Sequence, residues 1–344
     1  MTTLRARTSG DDSLLPSYGR PGWRRLATSS EAVMVAVLLA VVVVAALAVP
    51  HFASTTTLGF LLLDATPVLM IALPLTLVII TGEIDLSIAS VIGLGSVLFG
   101  ILIRAGVPLA LAIAVCVLAG VLAGAFNGFF VAVVGLPSLA VTIGTLALFR
   151  GLAVGLLGTT AITSFPAEWQ RAAQQMLGST GIPAVILLVV VLVGVFAVLL
   201  HFTGFGRGLY AIGLNKEAAA FSGVRVNWSK FVTFLMTGAV SAMAGVFWTL
   251  RYASARGDNA TGLELAIIAA VLLGGVSIFG GKGSIAGAVT GVLLISVLQS
   301  ALRLDGVNSD AISVVTGTLL ILSVLAPSVA RWMRSKRRVP PAPA

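Results

Sequence analysis

Charged residues make up only 10% of this 344-residue sequence, and just 12 residues are acidic. A water-soluble domain carries about a quarter of its residues charged, so water is not what covers most of this surface. Cys116 is the single cysteine, which leaves neither a disulfide framework nor a thiolate metal cluster. His51 and His201 are the only histidines, and both sit at the ends of apolar segments. A His/Cys/Asp constellation for an intramembrane enzyme is therefore missing, and no catalytic residue or metal site is expected. Carboxylates in the middle of apolar runs are nearly absent too. A relay for ion-coupled transport would need them.

What is present is apolar surface: 58% of residues are hydrophobic and the mean hydropathy is +1.10. A bilayer removes the need for a charged exterior. Ala32 to Val49 runs 18 residues without a polar side chain, about 27 Å of helix, close to the thickness of a hydrocarbon core. That is longer than the apolar stretch of a secretory signal, so it reads as a retained first span. Runs of spanning length recur at 32–50, 58–80, 84–103, 108–134, 137–158, 183–202, 231–250, 264–280, 284–304 and 311–330. The 264–280 run is the shortest and is a candidate for a broken or re-entrant span. The expectation is an all-α integral membrane protein of about ten transmembrane helices.

The net charge of +9 is distributed as a membrane protein would distribute it. With both termini inside, fifteen of the 21 basic residues fall on the cytoplasmic side and five in outer loops, which satisfies the positive-inside rule. No basic stripe with interleaved aromatics is present, so nucleic acid is not an expected partner, whereas membrane lipid is. The chain divides into a cytoplasmic tail at 1–30, one transmembrane domain at 31–330 and a basic, Pro-rich cytoplasmic tail at 331–344. A cytoplasmic loop at 203–230 interrupts the spans.

Gly120, Gly124 and Gly128 recur every four residues and predict a flat strip on one helix face, as do Gly287 and Gly291. Such strips let helix backbones approach closely in lipid. Pro67 and Pro74 are expected to kink or interrupt the second span. No tandem repeat is visible, but spans two to five and seven to ten are candidates for related halves.

Several short segments carry more specific signals. In the central loop Asn215 is a good N-cap, Glu217 suits the positive end of a helix dipole, and Ala218, Ala219 and Ala220 favour helix. Gly223 supplies a left-handed stop. The segment reads as a short helix of about two turns with Ala218 and Ala219 on its surface. Residues Gly82 to Ser87 read as a tight link between spans, with Asp85 capping the following helix. Asn127, Thr142, Thr145 and Gln299 are uncharged polar groups inside spans; they either bond a hydroxylated solute on a translocation path or cross-link helices. Arg150 lies within a span and is expected to snorkel or to pair with an acid such as Asp64. Arg171, Arg251 and Arg256 occupy the outer loops, where they are candidates for docking a partner protein. Gly280, Gly281, Lys282, Gly283 and Ser284 do not complete a phosphate-binding loop, because Gly follows the lysine, so ATP use by this chain is not expected.

Glu217, Ala218, Ala219 and Gly223 together resemble the coupling loop of ABC importer permeases. The likeness covers nearly the whole chain. TGEIDLSIASVIGLGS (81–96) resembles the G-x-I-D-L-S signature of the ribose, xylose, rhamnose and autoinducer-2 branch of these permeases. NGFFVAVVGLPSLAVTIGTLALFRG (127–151) and GLELAIIAAVLLGGVSIFGGKGSIAG (262–287) resemble its later blocks. ALPLTLVIITGEID (72–85) and SARGDN (254–259) are most similar to the autoinducer-2 permeases. The resemblance implies a permease subunit of a binding-protein-dependent ABC importer in the bacterial plasma (inner) membrane, and not an enzyme. It would move a monosaccharide or sugar-like solute by alternating access. The implied partners are separate ATPase subunits holding ATP and Mg, an extracytoplasmic sugar-binding protein, and a second permease copy or paralogue. The alternative is an ion-coupled secondary sugar transporter acting without an ATPase.

Overall fold

The computed structural model describes residues 30–336. The N-terminal arginines and the Pro-rich end fall outside the described residues. Among the described residues the fold is helical, with two isolated β-bridges, Ile162 with Ala255 and Met176 with Pro183. Thirteen α-helices follow in order: α1 Ser30–Ala48, α2 Thr55–Ile80, α3 Ile88–Arg104, α4 Leu109–Gly128, α5 Ser138–Leu157, α6 Ala167–Gln174, α7 Val185–Phe202, α8 Gly204–Leu214, α9 Lys216–Phe221, α10 Val226–Tyr252, α11 Leu263–Leu273, α12 Ile285–Leu304 and α13 Ser309–Lys336. A π-helical turn, Phe129–Val134, extends α4.

Seven of these helices are long and apolar enough to cross a bilayer, and α3, α11 and the first part of α13 are shorter apolar helices. Together they match the ten apolar runs and make the chain a multi-pass membrane protein. The 264–280 run is the one that breaks: helix ends at Leu273 after 11 residues, about 16 Å, and an irregular segment at 274–284 leads into α12. Helix α13 continues to Lys336, beyond the tail boundary expected at 331. Three short helices outside the spans, α6, α8 and α9, occupy the two longest connections.

The prolines of helix α2 do not interrupt it. Thr55–Ile80 is continuous through Pro67 and Pro74. It is also the most enclosed span, with 89% of its apolar window buried, so packed neighbours surround the backbone where two donors are missing. Helix α10 lies beside it and packs on α2, α3 and α4. The glycine strip explains how it comes so close. A Cβ on Gly120 would lie 2.3 Å from the Gly238 carbonyl oxygen, and one on Gly124 would lie 2.3 Å from that of Phe234. Gly287 and Gly291 make the same kind of contact with Gly274 and Ala270 between α12 and α11.

The two halves share one plan. Each starts with a long helix (α2, 26 residues; α10, 27 residues), continues through an irregular polar link (81–87; 253–262), and resumes as a shorter helix (α3; α11). Both links bend through left-handed residues: Gly82 in the first, Ala253, Ala260 and Gly262 in the second. Two further helices close each half. By contrast the outward faces of α1 and α7 are exposed rows of Val and Leu, as lipid-facing helices require.

Candidate functional site

The first link gathers most of the residues singled out between Gly82 and Thr142. Gly82 has φ 83°, which lets the chain turn directly after α2. Asp85 is buried and accepts bonds from the Ser87 amide (2.9 Å) and the Ser87 hydroxyl (2.7 Å). Ser87, not Asp85, occupies the N-cap position of α3; the carboxylate instead closes a turn two residues earlier. Asn127, on α4, donates to the Ser87 hydroxyl at 2.8 Å. From α5 the Ser138 hydroxyl accepts the Ile84 amide at 3.1 Å, and Thr142 donates to the Ile84 carbonyl at 3.3 Å. Asn127 and Thr142 therefore cross-link helices to the link in this conformation. Thr145 donates within its own helix to the Thr142 carbonyl at 3.4 Å. Gln299 belongs elsewhere, donating to Thr316 at 3.1 Å between α12 and α13.

An ion pair that the residue pattern did not reveal holds the same link. Lys230, assigned from sequence to the cytoplasmic loop, lies buried in the second turn of α10 and pairs with Glu83, side chains 7% and 17% exposed. Buried pairs are specific rather than strongly stabilising, because desolvation offsets most of the attraction.

Arg150 does not pair with Asp64. Its guanidinium reaches into the second link instead, donating to the carbonyl oxygens of Gly257 (2.7 Å), Asn259 (2.7 Å) and, at the start of α3, Ala89 (3.0 Å). The Asn259 amide donates to Ser96 at 2.8 Å, and Ser96 is bonded to Thr249 at 2.6 Å. The second link is thus fixed from α3, α5 and α10. Asp64 is taken by other partners. It accepts Arg251 at 3.3 Å, Arg303 at 3.2 Å and the Tyr252 hydroxyl at 3.2 Å, joining α2, α10 and α12.

The three arginines proposed for docking are consequently unequal. The Arg251 side chain is 12% exposed and lies over the Phe60 ring at 5.4 Å, so its charge is committed within the fold. Arg171 is exposed on α6, and Arg256 is exposed but holds Asp258 in a two-toothed pair at 2.8 and 2.9 Å. That bonding from Arg256 keeps the Asp258 carboxyl below its ordinary range.

At the central loop, Asn215 caps α9 by accepting the Ala218 amide at 2.9 Å, and Gly223 ends it with φ 84°. Glu217 and Ala218 are exposed. Ala219 is not on the surface: it is 3% exposed and packs with Ile212 and Val226. Phe221 takes the exposed position, at 93%, although no feature of the residue pattern marked it.

A family model described as the permease component of the branched-chain amino acid transport system matches residues 57–324. The chain belongs to this permease family: it is a membrane subunit of the ABC importer class, in the inner membrane. Its relatives are more particular. The autoinducer 2 import system permease protein LsrD of Yersinia pseudotuberculosis is 35% identical over 333 residues, 93% of this chain and 97% of the relative. LsrD of Yersinia enterocolitica is 37% identical over 281 residues, 78% of this chain and 84% of the relative. LsrD of Yersinia pestis is 35% identical over 333 residues. No solved structure matches the chain.

Proposed function

We propose that this permease imports autoinducer-2 or a related monosaccharide, of the rhamnose or ribose/xylose type, by alternating access driven by a separate ATPase. The observation that carries the ATPase-driven reading is the capped helix Lys216–Phe221. It holds Glu217 and Phe221 out from the bundle, and a fully exposed phenylalanine next to a carboxylate is the surface of a protein contact rather than of a lipid face. The similarity to the LsrD permeases supports autoinducer-2 as the first solute to test.

In this reading both termini are cytoplasmic, and α8 and α9 face the ATPase. Arg171 and Arg256 face an extracytoplasmic binding protein, while a second copy or a paralogue completes the path. ATP and Mg stay on the ATPase. Each solute-loading step favours one of two conformations, and hydrolysis resets the other. The decisive experiment is reconstitution of the permease with ATPase and binding protein in vesicles. ATP-dependent uptake of autoinducer-2, L-rhamnose or D-ribose is expected only when all components are present. Uptake by the permease alone would instead establish the ion-coupled secondary transporter.

A further inference from the structure

The second link closes one side of an open cavity of about 420 Å³, within the size range of small-molecule sites, about 300–1,000 Å³. Its wall includes the half-buried indole of Trp248, and around it stand Asp258, Asn259 and Thr261, with Arg256 at the rim. Thr261 donates its hydroxyl to the Asp258 carbonyl at 2.6 Å, so it offers the cavity acceptor lone pairs. Asp258 is 60% exposed and keeps acceptor capacity beyond its pair with Arg256. Asn259 donates its amide N–H bonds to Ser96 and Ser254, which fixes the side chain and leaves its oxygen as an acceptor.

The backbone here is held in an unusual shape. Ala253 and Ala260 have φ 50° and 60°, left-handed values that cost a residue with a Cβ about 1–2 kcal/mol. Strain of this sort persists only where surrounding structure over-determines it. The surrounding structure is visible: three Arg150 bonds, the Asn259–Ser96–Thr249 chain and the bridge between Ala255 and Ile162. The link is therefore a rigid platform, and it sets polar groups beside the Trp248 indole, which packs on the Tyr252 ring at 5.0 Å.

We infer that this cavity is a solute-receiving subsite for a small polyhydroxylated ring, with Trp248 as the stacking face and Asp258, Asn259 and Thr261 as hydroxyl partners. The indole covers the apolar C–H face of such a ring, and the polar groups meet its edge. A pre-fixed site of this type loses little freedom on binding. The inference takes its solute class from the importer reading and adds the place where the solute first meets the permease.

The test is direct binding to the full-length permease in lipid nanodiscs, by saturation-transfer NMR titration with autoinducer-2, L-rhamnose and D-ribose in turn. A saturable response to at least one solute is expected for the unaltered chain. Trp248→Ala should raise the dissociation constant about tenfold, the scale of one lost aromatic contact, and Trp248→Tyr should restore most of it. Asp258→Ala, an exposed change that leaves the packing of α10 untouched, should weaken binding as well and carries the test if Trp248→Ala does not fold. Absence of a saturable response to all three, or equal constants for the unaltered chain and the folded variants, overturns the subsite. The two readings fail separately. Saturable binding that depends on Trp248, without ATP-driven uptake in the assembled complex, keeps the subsite and removes the importer reading. Normal ATP-driven uptake with binding indifferent to Trp248 and Asp258 does the reverse.

Discussion

Lys230 and Glu83 tie the first link of one half to the long helix of the other, and the same helix is tied back at its far end by Arg251 to Asp64. Lys230 and Arg251 stand about 31 Å apart along α10 at 1.5 Å per residue. That is the thickness of a hydrocarbon core. The two pairs therefore sit where charges are tolerated, one at each interface, and both join α10 to α2 or its extension. Removing one member of the more buried pair leaves the other uncompensated. Glu83→Gln or Lys230→Met alone should destabilise by about 3–5 kcal/mol, while the double variant should recover much of the loss. Thermal unfolding of the four proteins in detergent, read as a double-mutant cycle, checks this.

Arg150 supports the second link through charge-assisted bonds to three carbonyls, so Arg150→Lys is not a conservative change. An ammonium cannot reproduce the planar fork that bridges Ala89, Gly257 and Asn259. Faster hydrogen exchange across 253–262 is expected in Arg150→Lys, with α4 and α7 unaffected. Unaltered exchange in the link would show that the Ser96 and Ile162 contacts hold it without the arginine.

The glycine strip separates packing from mere small size. At Gly124 an added Cβ meets the Phe234 carbonyl oxygen at 2.3 Å, whereas at Gly144 nothing lies within 4 Å. Gly124→Ala should force α4 from α10 and lower the melting temperature sharply. Gly144→Ala, on an open helical surface, should be neutral or stabilising by up to about 1 kcal/mol, from helix propensity. Equal melting of the two variants would contradict the close approach.

These cases show what the sequence could and could not disclose. The ten apolar runs were legible because a bilayer imposes length and hydropathy on each span by itself. The Asn215 cap and the Gly223 stop were legible because capping is local, within three residues. Lys230 and Glu83 are 147 residues apart, and nothing in either neighbourhood marks the other. The partners of Arg150 are hidden for a related reason: its ligands are backbone carbonyls, which a residue pattern does not show. Helices α6 and α8 escaped because their mixed composition gives neither a span nor a strong amphipathic signal. The inward face of Ala219 is not legible because an alanine run has no hydrophobic contrast from which to read its orientation.

Orientation can be measured with little background, since the lone Cys116 is fully buried. Single cysteines at Gly178, Ser222 and Asp258, all exposed positions, would be treated with a membrane-impermeant maleimide on intact cells. Labelling at 178 and 258 and none at 222 is expected from the charge bias of the loops. Labelling at 222 alone would invert the molecule and place α9 away from any cytoplasmic ATPase.

The coupling prediction turns on which face of α9 is free. Ala219 packs into its own bundle, so Ala219→Arg should damage folding and says nothing about a partner. Phe221 and Glu217 are the side chains held outward. A phenylalanine that buries nothing in the isolated chain can be removed without cost to the fold, and Phe221→Ala should melt like the unaltered permease. If the helix enters a groove on the ATPase, the same change should cost an anchoring contact worth about 2 kcal/mol or more, roughly a thirtyfold loss of association. Glu217→Lys should weaken the contact in a salt-dependent way, because an exposed charge contributes mainly to steering and register. The measurement is co-purification of the ATPase with each variant, followed by ATP hydrolysis with and without solute-loaded binding protein. Retained stability with lost association and lost stimulation would locate transmission at Lys216–Phe221. Full stimulation in Phe221→Ala would mean that the exposed ring serves something other than the ATPase, and that coupling passes through another part of the cytoplasmic face.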